Sequence, residues 1–179
     1  MYALAVFAFS LLAPVGDDKA PEPVRVTYKL LGLFSPDREN DLKAAFADIE
    51  DVTLVGVNYD DAEITVEFVP AKAFPGAKPE QILERFDQKL RNATTHTFSV
   101  KPRRTVARDK LQTVVIPAAG LDCKACCLAA YEGISGIDGV EQATASFKDG
   151  KITALIDPTK TDKAKLEEAL RKKGVTVGK

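Results

Sequence analysis

Residues 138–158 read DGVEQATASFKDGKITALIDP, and this stretch decides the fold. From Val140 to Phe147 the chain alternates. Val140, Gln142, Thr144 and Ser146 fall on one side, and Ala143, Ala145 and Phe147 on the other. Period-two alternation over eight residues predicts a strand. Asp149-Gly150 is a strong two-residue hairpin signal, since both residue types tolerate the positive φ of tight hairpin turns. Lys151–Ile156 is then the partner strand, and Pro158 breaks the chain.

Working outward from this hairpin, Thr113–Ile116 is a β-branched run and predicts another strand. Gly120–Lys124 is a loop. Between Ala125 and Ile137 the apolar positions Cys127, Ala130, Ile134 and Ile137 trace one helical face, and Asp138-Gly139 ends the helix. On the other side of the hairpin, Thr161 or Asp162 caps a second helix running to Lys173. Its Ala164, Leu166, Ala169 and Leu170 point inward, and Gly174 stops it. Val175–Val177 is a last short strand. The order is βαββαβ. Two helices on one face of a four-stranded antiparallel sheet bury one stripe per helix and one sheet face.

The same layout occurs earlier. With Gly32 set against Gly120, an offset of 88 residues, Leu33 meets Leu121 and Val52 meets Val140 without a gap. Asp61, Ile64, Thr65 and Pro70 meet Asp149, Ile152, Thr153 and Pro158, and apolar positions match throughout. This is an internal duplication. The first copy predicts strands over Val24–Leu31, Thr53–Tyr59, Glu63–Val69 and Thr95–Val100, with helices over Pro36–Ile49 and Glu80–Leu90. The fold class is therefore α+β, with two tandem βαββαβ sandwiches spanning 24–101 and 111–179. Residues 102–110 are a basic linker with Arg103, Arg104, Arg108 and Lys110, and Lys101 stands just before it. It reads as solvated chain in preference to a docking site for an acidic partner or lipid.

Composition narrows the function. Of 179 residues, 45% are hydrophobic and 28% charged, with a net charge of −1. That is ordinary globular composition, and the balance implies neither nucleic acid nor an anionic membrane surface. Residues 1–20 read as a signal peptide or apolar amino-terminal segment, because Tyr2–Val15 is nearly all apolar yet shorter than the ~20 residues a membrane-spanning helix needs. No Lys or Arg precedes the run. An exported protein, periplasmic or extracytoplasmic, is expected, with amino-terminal anchoring as the alternative.

The three cysteines, Cys123, Cys126 and Cys127, form one local cluster and not a disulfide framework. The Cys123-x-x-Cys126 pair falls where a loop becomes a helix. Helix amino-terminal N–H groups favour thiolates there. Two soft ligands suit Cu(I) or Hg(II) better than Zn(II), which wants four. Cys127 is on the helix stripe, so a packing role is favoured over that of a third ligand. The only histidine, His96, falls in the last strand of the first copy and reads as a satisfied or exposed side chain.

Gly120-Leu-Asp-Cys-Lys-Ala-Cys126, followed by Ile134, Ile137, Gly139-Val140, Phe147, Gly150-Lys-Ile152 and Asp157-Pro158, resembles the heavy-metal-associated domain. The resemblance covers essentially all of Leu111–Val177. It implies a ferredoxin-like fold holding copper, mercury or a related ion on Cys123 and Cys126, passed to an acceptor or metal-transport protein by thiolate exchange. Leu121 replaces the usual Met, a packing position. Lys173 resembles a basic residue that some copper carriers place near the metal, and a helix-terminal cation is the equal alternative. Ser35 and Arg38 stand where Cys123 and Cys126 stand, so the first copy is a degenerate version that binds no soft metal. The expectation is a non-enzymatic binder of Cu(I) or another thiophilic ion. Its rivals are a thiol redox or sensor protein and a structural interaction module. No phosphate-cradling loop, His-paired nucleophile or carboxylate pair suggests an enzyme.

Overall fold

The computed structural model describes residues 22–178, so the amino-terminal apolar segment lies outside the described residues. The first copy runs β1 (Val24–Leu31), α1 (Arg38–Phe46), β2 (Val52–Asn58), β3 (Glu63–Phe68), a single helical turn α2 (Pro70–Ala73), α3 (Ile82–Ala93) and β4 (Ser99–Lys101). The second runs β5 (Gln112–Ala119), α4 (Lys124–Ser135), β6 (Val140–Ser146), β7 (Lys151–Ile156), α5 (Lys163–Lys172) and β8 (Thr176–Val177). The sheets have strand orders β2-β3-β1-β4 and β6-β7-β5-β8, with antiparallel neighbours. These are two tandem ferredoxin-like α+β sandwiches.

The duplication is written in the strand register. Val24 faces Phe68 in the first sheet and Gln112 faces Ile156 in the second, both displaced by the same 88 residues. Val52–Phe68 and Val140–Ile156 repeat the match in the β2–β3 and β6–β7 pairs. Each pair carries a bulge, but not at the same place. The register shifts between Leu54 and Gly56 in one and between Val140 and Gln142 in the other. An extra residue in one strand bends and twists it locally.

Each sandwich has its own core. Tyr28, Leu30, Leu42, Ile64, Phe86 and Leu90 anchor the first. In the second, Val114, Ile116 and Ala118 alternate inward along β5 and meet Ile134, Ile152, Leu166 and Leu170. The second core also takes in Phe34, a residue of the first copy that is only 4% exposed.

Several boundaries differ from the sequence reading. The hairpin loop is four residues long, since Ser146 pairs with Lys151, so Asp149-Gly150 closes a wider turn than the two-residue form. Ser146 Oγ donates to Asp149, and the Asp149 N–H donates back to Ser146 Oγ. Asp162, not Thr161, caps α5 by accepting from the Lys165 N–H. The first copy's last strand begins at Ser99, leaving His96 exposed in the turn before it at φ 62. The helix predicted over Pro36–Ile49 is confined to α1, Arg38–Phe46.

The basic linker is mostly exposed, as expected of solvated chain, but its cations have partners within the protein. Arg103 donates to Glu63 at 2.9 Å, while Arg104 and Arg108 both bond the Asp61 carboxylate. Three of its cations therefore fold back on the β2–β3 turn and β3 start of the first copy. Opposite charge forty-odd residues away supplied an acidic partner inside the chain itself.

Candidate metal centre

Cys123 is the amino-terminal cap of α4. Its backbone is extended, at φ −151 and ψ 163, and its Sγ accepts the Cys126 N–H at 3.1 Å. A sulfur in that place occupies the anion-favouring end of a twelve-residue helix. The Cys123 and Cys126 Cα atoms are 5.1 Å apart and the two sulfurs are bonded to each other as a disulfide. Cys123 is exposed and Cys126 half-buried. The spacing thus brings both sulfurs to one solvent-reachable point. The oxidised pair holds no metal until two electrons and two protons reduce it to thiols.

Cys127 goes elsewhere. It is 4% exposed within the second core, with its thiol directed to the Leu121 carbonyl at 3.7 Å. Burial pushes this thiol up from its ordinary pKa. Consecutive helix residues point about 100° apart, so Cys127 takes the packing position. Among the described residues no three His, Cys, Asp or Glu side chains converge as a metal cluster. Leu121, at the loop position before the pair, is buried in the same core.

Lys173 does not reach this end of the helix. Its aliphatic stem lies against Gly133, where an added Cβ would come within 3.0 Å of Cγ, and Gly133 belongs to the last turn of α4. The cation beside the cysteines is Lys124, between them in sequence, and it bonds the Asp37 carboxylate at 2.7 Å. The Lys124 ammonium, followed by the Ser35 hydroxyl, holds Asp37 below the usual carboxylate range. Asp37 in turn raises Lys124.

Asp37 belongs to the first copy. Its loop Phe34–Asp37 corresponds by position to Asp122–Ala125 and lies along one side of a groove of about 470 Å³. Cys123, Cys127 and Tyr59 also line it, as does Phe147, which is 62% exposed. At the positions equivalent to the two thiols, Ser35 donates to Asp37, and Arg38 bonds Asp41 while stacking on Phe98 at 4.5 Å and Phe34 at 5.4 Å. Neither is a soft-metal ligand. The sequence reading missed this juxtaposition. The duplication identified the two loops as equivalents but held no sign that one docks beside the other.

No family model and no curated relative matches the chain. Solved structures do. The chain is similar to the CopZ metallochaperone at 22% identity, covering 37% of this chain and 100% of that one, with a TM-score of 0.37. It is similar to oxidized MerP from Ralstonia metallidurans CH34 at 28% identity, over 38% of this chain and 99% of that one, with a TM-score of 0.36. The N-terminal soluble domains of Bacillus subtilis CopA match at 17% identity over 88% of this chain and 93% of that one, TM-score 0.36. Within this chain the thiol pair occurs in only one of the two tandem copies.

Proposed function

We propose that this protein is a non-enzymatic binder of one soft metal ion, with Cu(I) favoured and Hg(II) or another thiophilic ion as the wider class. Cys123 and Cys126 are the ligands, and the ion passes to an acceptor protein by thiolate exchange. The observation that carries the reading is the placement of the pair. One sulfur caps a helix, the other is in bonding reach of it, and solvent touches the first. Reduced and ionised at a helix amino terminus, two thiolates make a low-coordinate soft site. Exchange needs an incoming thiolate to add as one cysteine leaves, and the exposure of Cys123 gives it an approach. The apolar run Tyr2–Val15 supports export.

The test is metal stoichiometry after anaerobic reduction. One equivalent of Cu(I) per chain is expected, with none in Cys123→Ser/Cys126→Ser. A reduced wild-type protein that retains no Cu(I) against a weak competing chelator sinks the proposal. The disulfide itself favours a second reading, a thiol redox role. Under that reading the reduced protein shows no stoichiometric metal binding, but the pair cycles against a glutathione redox buffer.

A further inference from the structure

The first copy carries no thiols, yet its loop is the part of it that meets the metal copy. Phe34 is buried among second-copy residues, with Leu121, Cys127 and Ala130 in the same cluster. Its ring lies 5.9 Å from that of Tyr131, tilted 41°. The Gly32 N–H donates to the Tyr131 hydroxyl at 2.8 Å, and the Ala145 N–H donates to the Phe34 carbonyl at 2.9 Å. Asp37 then pairs with Lys124, the residue after Cys123. A single loop therefore grips α4 at its first turn, at its second-to-third turn and across the neighbouring strand β6.

The residues that stand where the second copy has its thiols shape this grip. Arg38 is largely buried and stacks on Phe34, a cation–π contact that braces the ring from the first-copy side. Ser35 bonds Asp37 and so orients the carboxylate that Lys124 meets. Farther along the contact, Lys29 bonds Glu141 and the Val140 carbonyl, and Gln142 donates to the Tyr59 carbonyl. These contacts join the two copies beside the loop.

We infer that the first copy is a resident positioning partner for the metal loop. Its Phe34–Arg38 segment holds the start of α4, and with it Cys123 and Cys126, in the arrangement that receives the ion. In place of thiols the loop carries groups that make it a wall of the neighbouring site. Phe34 is the central positioning residue and Tyr131 its receptor in the metal copy. Neither touches the ion. Loss of a group that hydrogen-bonds a metal ligand costs about 10–100-fold in metal affinity, and Phe34, which acts on the ligand-bearing helix by packing, is expected at the low end of that range.

The inference rests on the metal reading, and two measurements on the full chain keep them apart. In Phe34→Ala, at a temperature where circular dichroism shows the chain folded, Cu(I) affinity measured against a chromophoric chelator is expected to fall about ten-fold. Phe34→Leu, which keeps an apolar plug, should recover most of it. Amide exchange in the metal-free, reduced protein reads positioning without any ion. The Cys126 and Cys127 N–H groups should exchange faster in Phe34→Ala than in wild type. Tyr131→Phe removes only the hydroxyl and should raise exchange at Gly32 while lowering affinity by less, which preserves the test if Phe34→Ala does not fold. Wild-type Cu(I) affinity together with unchanged exchange at Cys126 and Cys127 overturns the inference. Wild-type protein that binds no Cu(I) overturns the metal reading instead, and leaves the exchange result to decide the positioning role.

Discussion

Cys123 has two duties that separate cleanly by substitution. As a helix cap it accepts the Cys126 N–H, and as a thiol it offers sulfur. Serine is a strong cap, so Cys123→Ser should fold with near-wild-type stability and bind no Cu(I). Cys123→Ala loses the cap as well and should cost about 1 kcal/mol more by urea denaturation of the reduced protein. A Ser variant as unstable as the Ala variant would show that the cap contributes nothing. Gly32 is constrained more severely. Its φ is +98 and an added Cβ would lie 2.1 Å from the Thr97 carbonyl oxygen. Gly32→Ala should lose about 1–3 kcal/mol from backbone conformation alone, before the clash is counted. At this scale the cysteine pair was legible because its spacing is local and its chemistry specific. Phe34 and Tyr131 were not, because their meeting joins residues 97 positions apart and neither carries a polarity that asks for the other.

Elements were legible where one periodicity ran long enough to outvote its ends. β6, β7 and α4 came from alternation and from a helical stripe, and both signals depend on which face is buried rather than on where an element stops. Ends depend on single hydrogen bonds. Asp162 supplies one, to the Lys165 N–H, and Thr161 is buried behind it. Asp162→Ala should therefore lower stability by about 1 kcal/mol, while Thr161→Asn should not substitute for it in an Asp162→Ala background. Equal stability of Asp162→Ala and wild type in urea would refute the assignment. The short last strand of the first copy was hardest to place, since three residues of pairing leave almost no pattern, whereas that of the second copy lies within one residue of its expected start.

In the whole molecule the linker behaves as a clasp, and it should respond to acid. Burial alone would raise Asp61, but hydrogen bonds from Arg104 and Arg108 outweigh it and hold the carboxyl below its ordinary value. A carboxylate depressed in the folded state contributes stability above its unfolded pKa, about 4. That contribution is lost as pH falls further, through the folded value. Trypsin should then cut after Arg104 and Arg108 slowly at neutral pH in wild type and faster in Asp61→Asn. The stability difference between wild type and Asp61→Asn in urea should shrink below about pH 4. A constant difference down to pH 2 would contradict the clasp. The tandem arrangement itself was legible from an ungapped offset, because duplicated sandwiches keep their register. The clasp was not, because charge runs carry no address for their partners.

The two sheet orders leave a chain with uneven flanks. Strands β4 and β8 are three and two residues long, and β6 is engaged by the Phe34 carbonyl. Among the described residues, β2 is the remaining long outer strand, and its Val55 is solvent-facing. A flat outer strand of seven residues invites addition by another molecule and, from there, fibrils. The bulge beside Val55 interrupts the even ladder such addition needs, so this one irregularity guards the solubility of the whole protein at high concentration.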